Sequence, residues 1–171
     1  MVGLKEYEKA QSDYSSNLTL NRMPLASWDF YGAFLQDLNS NFLDLKQLKA
    51  LTINNNWISD FDFETELQDE NVIVVTDSTL KIVFASHTIL KMTGYQSQEV
   101  IGESPKLFQG KATSRKTSAE IRMAIENQEP FEKTVVNYRK SGETYDCHIK
   151  GFPIFNKKGK LSHFIAFEKV A

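Results

Sequence analysis

The sequence predicts an α+β fold, a five-stranded antiparallel sheet with helices on one face, preceded by an N-terminal helical segment. Three observations carry this. Apolar residues between Trp28 and Leu51 recur at helical steps of three and four. Two short β-rich runs, 72–75 and 81–84, precede a stretch of helical patterns. Three longer strand patterns, 131–138, 144–155 and 160–169, then follow without a helix between them.

Residues 1–22 are polar with little periodicity and read as a frayed arm or marginal helix. Trp28, Tyr31, Leu35, Leu38, Phe42, Leu45, Leu48 and Leu51 form one stripe along a helix, which Asn39-Ser40-Asn41 is expected to interrupt. Asn54-Asn55-Asn56 ends it, because asparagine tolerates the left-handed backbone used at helix C-termini. Trp57, Ile58, Phe61 and Phe63 make a second aromatic cluster. A stripe this long requires burial, either on the chain's own sheet or against a second copy.

The charge divides near residue 70. Residues 1–70 hold 5 Lys+Arg against 12 Asp+Glu, and residues 71–171 hold 15 against 10. We therefore place a boundary there, with a helical cap or dimerisation segment over 1–70 and a sensor-like domain over 71–171. In the second part, Asp77-Ser78 joins the first two strands. A helix over 87–93 ends at Gly94-Tyr95. Ser114 is the expected N-cap of a helix to Asn127 whose apolar residues are Ile121, Met123, Ala124 and Ile125. Ser141-Gly142 and Lys158-Gly159 supply the last two turns.

Composition excludes several functions. A formal charge of −2 argues against general nucleic-acid affinity. No apolar run reaches the roughly 18 residues of a membrane span, and the polar N-terminus lacks a signal-peptide core, so a cytoplasmic location is expected. One cysteine rules out an internal disulfide, and three scattered histidines lack metal-ligand spacing. His87, His148 and His163 each read as surface or interface residues. No nucleotide-cradling glycine loop, G-x-S-x-G or H-E-x-x-H occurs, so no enzymatic activity is expected.

The run Gly102-Glu103-Ser104-Pro105-Lys106-Leu107-Phe108-Gln109-Gly110 resembles the G-x-N-C-R-F-L-Q-G motif of light-oxygen-voltage (LOV) domains, the flavin-binding branch of the PAS family. Thr93-Gly94-Tyr95 and Asn137-Tyr138-Arg139-Lys140-Ser141-Gly142 are similar to further PAS landmarks. Together these cover about residues 71–169. The whole chain also looks like short stand-alone bacterial PAS proteins. The resemblance implies a five-stranded sheet curling around a ligand cleft.

It also implies site residues. Gln109 and Arg122 fall on residues near the flavin phosphate, and Lys106 replaces a second arginine there, keeping charge without the bidentate fork. Asn137 matches one of two asparagines that read the ring edge. Cys147 replaces the other, and Glu168 replaces the glutamine of the last strand. Ser104 stands for the motif asparagine and Pro105 for the photoreactive cysteine, so no cysteinyl–flavin adduct can form at that position. Haem is not expected, since no histidine lies between His87 and His148.

Strand alternation supports part of this independently. Tyr145, Cys147 and Ile149 share a face that should point to the core. The last strand is apolar on both faces, so a helix or partner must cover the outer one, with the 28–51 stripe the obvious element. A buried Glu168 would need to be protonated or paired, with Lys133 as a partner; the preferred reading puts it at the strand end, reaching water. Cys147 reads as a small core residue.

Three functions follow as expectations. The first is a non-catalytic PAS sensory module with a small-molecule pocket, signalling through the N-terminal helices or a separate partner. The second is a flavin-binding (FMN or FAD) redox or light sensor without adduct chemistry. The third is a ligand-free interaction domain. A homodimer through the N-terminal helices is the expected assembly. The chain ends right after its last strand, so no C-terminal signalling helix is expected.

Overall fold

The computed structural model describes residues 26–58, 61–69 and 71–171, with side chains from residue 31 onward. The expectation for residues 1–22 and the place of the Trp28 side chain lie outside these. The chain divides into two compact units, Met1–Leu38 and Asn39–Ala171. Helix α1 (Ala26–Asn54) runs through the predicted break at Asn39-Ser40-Asn41. Asparagine costs a helix only a fraction of a kcal/mol, about 0.7 at most, and the buried Leu48 anchors the downstream turns. Asn56 ends the helix region at φ 51°, as expected of asparagine.

In the first unit, Tyr31, Phe34, Leu35 and Leu38 are exposed. In the second, the five expected strands form one antiparallel sheet: β2 (Val72–Asp77), β3 (Ile82–Ala85), β4 (Phe131–Tyr138), β5 (Thr144–Asn156) and β6 (Leu161–Val170). Their spatial order is β4-β5-β6-β2-β3. A two-residue strand, β1 (Trp57–Ile58), adds to β5 at Asn156 and Phe155. The sequence marked those residues only as aromatic, because two residues carry no readable alternation.

The sheet is covered on both faces. On the outer face Leu45, Leu48 and Leu51 of α1 pack with Trp57, Ile73, Val75, Ile165 and Phe167. Helix α2 (Phe63–Gln68) adds Phe63 and Leu67. This is the cover that the two-sided β6 demanded, delivered by the second half of the stripe. On the inner face Val72, Val74, Ile82 and Cys147 meet Ile89 and Met92 of α3 (Ile89–Thr93), Val100 of α4 (Ser97–Val100) and Phe108.

Candidate ligand cavity

The motif 102–110 is shaped by its backbone. Gly102 has φ +85°, a conformation side chains resist. Its N–H bonds the Ile82 carbonyl at 2.8 Å, while Ile82 N–H bonds Glu103 O at 2.8 Å, so the motif begins as a clasp on the β3 edge. Pro105 opens a 3-10 turn, Pro105–Phe108, at a position whose N–H would be spare in any case. Phe108 enters the core. Gly110 lies under the Tyr138 ring, where a Cβ would come within 2.5 Å. The Tyr138 hydroxyl accepts from Ala112 N–H at 2.8 Å, and Thr113 Oγ1 donates to Val136 O at 2.7 Å. These bonds fasten the segment to β4 just ahead of helix α5 (Arg115–Glu126).

Helix α5 starts at the expected N-cap, with Ser114 Oγ accepting from Thr117 N–H at 3.2 Å. It buries none of its residues. Ala119, Ile121 and Ile125 instead line a cavity of about 740 Å³ between the helix and the sheet. Met123, counted with them from sequence, points to solvent. Lys133 Nζ ties β4 to the helix through Glu120 Oε2 at 2.7 Å. Lys133 is therefore not the partner of Glu168.

Seven of the eight residues singled out from the sequence line this cavity: Ser104, Pro105, Lys106, Gln109, Arg122, Asn137 and Glu168. The eighth, Cys147, is fully buried beside it, with Sγ 3.6 Å from Glu168 Oε2. Arg115, the first residue of α5, also lines the wall and was missed, since nothing in the motif marks it. Arg122 lies out in solvent, its Nε 2.9 Å from Glu126 Oε1. The basic side of the cavity thus consists of Lys106, Arg115 and Arg122, all exposed, with Glu126 beside Arg122 on the same lining.

The opposite wall is polar and buried. Asn137 and Glu168 are 4 % and 6 % exposed. Glu168 pairs in register with Val72 and Ile149, because β6 lies between β2 and β5. The expected escape to water is therefore wrong: a residue near the strand's end is still in the middle of the sheet. Burial pushes its carboxyl up to about 7. Burial first, and then the neighbouring Glu168 charge, push the Cys147 thiol well above the ordinary thiol range, so it is no nucleophile. The Thr76 hydroxyl, also on the cavity lining, is buried with no hydrogen-bond partner.

Two histidines lie within hydrogen-bond distance of carboxylates, His87 Nδ1 2.8 Å from Asp44 Oδ2 and His148 Nε2 2.9 Å from Glu132 Oε1. His163 departs from expectation. It is buried, and its Nδ1 accepts from Trp57 Nε1–H at 3.1 Å. No group of three or more metal-ligating side chains occurs among the described residues. No helix among them is long and apolar enough to cross a membrane.

The PAS domain family model matches residues 70–169. The chain belongs to the PAS domain family. Over 88 residues this PAS chain is 44% identical to Protein TWIN LOV 1 of Arabidopsis thaliana, covering 51% of the chain and 22% of that protein. Over 85 residues it is 36% identical to a blue-light-activated histidine kinase of Brucella ovis, covering 50% and 17%. The chain thus spans about a fifth of the length of these relatives. Among solved structures it is similar to a light-oxygen-voltage domain whose mechanism was addressed with a flavin analogue, at TM-score 0.60 and 26% identity, covering 66% of this chain and 86% of that one. The LOV domain of a blue-light activated histidine kinase from Erythrobacter litoralis EL346 shares the fold, at TM-score 0.56 and 24% identity, covering 58% and 94%.

Proposed function

We propose that this PAS domain is a non-catalytic sensory module whose cavity binds a small molecule with a polar ring edge and an anionic tail. The observation that carries the reading is α5, an amphipathic helix that turns Ala119, Ile121 and Ile125 toward a cavity and buries nothing. A volume of about 740 Å³ suits a small ligand. Lys106 and Arg115 supply charge for a tail, and Asn137, Thr76 and Glu168 supply polar contacts for a ring.

Flavin is the group the LOV relatives suggest. The tail side fits it, through Gln109, Lys106 and Arg115. The ring side does not. A flavin's polar edge presents carbonyl, N–H, carbonyl. Cys147 spends its only donor on Glu168, and Glu168, protonated or not, offers that edge at most one donor for two carbonyls. Pro105 brings no thiol for an adduct. The test is reconstitution of the full chain with FMN and with a panel of anionic heterocycles, read by absorption and thermal shift. Stabilisation by a colourless heterocycle with no structured flavin band is the expected result. A protein stabilised by none of them sinks the small-molecule reading.

We also read the exposed α1 stripe as a contact with a second copy. Tyr31, Leu35, Leu38 and Phe42 are each exposed and spaced four, three and four residues apart, the spacing of a coiled-coil seam. Such a seam gives the ligand state an output if the two docking states bind ligand with different affinity.

A further inference from the structure

We propose that Glu168 makes the cavity selective for a heterocycle that presents two adjacent N–H donors on one edge and carries an anionic tail. The inference rests on the small-molecule reading above and adds the chemical class of the ligand.

The argument starts from what Glu168 lacks. Its carboxyl lies inside the sheet, 6 % exposed, on the lining of the cavity. The Cys147 thiol is the donor it meets, at 3.6 Å. A carboxylate offers about four acceptor positions, and a thiol is a weak donor that fills one. Lys133 is engaged with Glu120 and brings Glu168 no charge. A carboxyl so poor in donors is costly to bury, and its free positions border the cavity.

A ligand edge with two neighbouring N–H groups meets that demand. Both hydrogens reach the two carboxylate oxygens in parallel, the fork geometry that gives strong charge-assisted bonds. With its proton affinity poised near neutrality, the carboxyl ionises readily when such donors arrive. A carbonyl-rich imide edge gives the same carboxylate only one donor between two repelling oxygens. Asn137, with both donor and acceptor atoms, and the unpartnered Thr76 hydroxyl suit the remaining ring atoms. The apolar walls from Phe108, Ile121, Ile125 and Phe164 suit the ring faces, and Lys106 and Arg115 suit the tail.

The 2-aminopyrimidin-4-one ring has this edge, and it occurs in guanine nucleotides and in pterins. Titration calorimetry on the full chain with guanosine 5′-monophosphate, inosine 5′-monophosphate, neopterin monophosphate and FMN tests the idea. Inosine monophosphate differs from the guanosine compound by the lost amino group alone, so the wild-type protein is sufficient for the central comparison. At least tenfold tighter binding of the guanosine or the pterin compound than of inosine monophosphate is expected, and whichever leads names the source. Glu168→Gln should remove most of that ratio while shifting the inosine compound less than threefold. Equal guanosine and inosine affinities overturn the proposal, whether or not the variant folds. FMN binding alone overturns it while leaving the cavity reading intact. No binding of any probe overturns both.

Discussion

Asp44 on α1 holds His87 twice: Asp44 Oδ2 lies 2.8 Å from the His87 backbone N and 2.8 Å from its ring Nδ1. The pair fastens α1 to the segment leading into α3, beyond the apolar contacts of Leu45, Leu48 and Leu51. Asp44→Ala leaves a backbone N–H partly buried without its acceptor, which costs about 1–3 kcal/mol. Urea unfolding should show that loss, with faster amide exchange at His87. Unchanged exchange there would mean that water replaces the carboxylate at no cost.

Glu168 predicts an inverse pH dependence of stability. Its folded carboxyl is raised from 4.5 to about 7, so the native state holds a proton that the unfolded chain has released. The contribution is full below pH 4.5, declines as pH rises through 7, and is lost above it. The total is on the order of 3 kcal/mol. Glu168→Gln should flatten this part of the profile, measured as unfolding free energy between pH 4.5 and 8. A wild-type profile with no fall over that range would contradict a buried, proton-holding carboxyl.

Gly110 is predicted to be irreplaceable for steric reasons. A Cβ would sit 2.5 Å from the Tyr138 ring, and the ring is pinned by its hydroxyl to Ala112 N–H. Gly110→Ala should lower stability by about 1–3 kcal/mol, the usual range for overpacking. Gly110→Ala combined with Tyr138→Leu should cost less than the two changes summed. Strict additivity would show that the ring moves aside freely.

The α1 stripe predicts a self-association that charge abolishes. Phe42 is 64 % exposed and Leu38 49 %. Leu38→Asp with Phe42→Asp should convert a dimer to a monomer in light-scattering chromatography, with a dissociation constant raised at least a hundredfold. Neither residue belongs to the outer-face core, so the far-UV spectrum of the sheet should stay the same. A wild-type monomer at all concentrations would end the seam reading.

Much of the fold was legible because its signals are local. β4 matches its predicted bounds, and Ser114, Gly94, Gly142 and Gly159 each stand at the cap or turn that their chemistry implied. Alternation correctly turned Cys147 inward. The misreadings arose where a residue's surroundings come from distant chain. Glu168 looked like a strand end, but β2 and β5 flank it from about a hundred and about twenty residues away. His163 looked superficial, but Trp57, 106 residues upstream, closes over it.

The candidate site divides the same way. The sequence alone determined the strand order and the caps and turns, because each follows from residue type and order along the chain, and its resemblance to the PAS family pointed to seven residues that the structure places on the cavity wall. Only the tertiary structure decided that α5 borders a cavity rather than a filled core, that Arg115 joins Lys106 and Arg122 there, and that Glu168 is buried with little more than a thiol for company. Those are outcomes of packing: burial, and hence the charge state of a carboxyl, depends on which distant segments exclude water from it, and no stretch of sequence carries that information by itself.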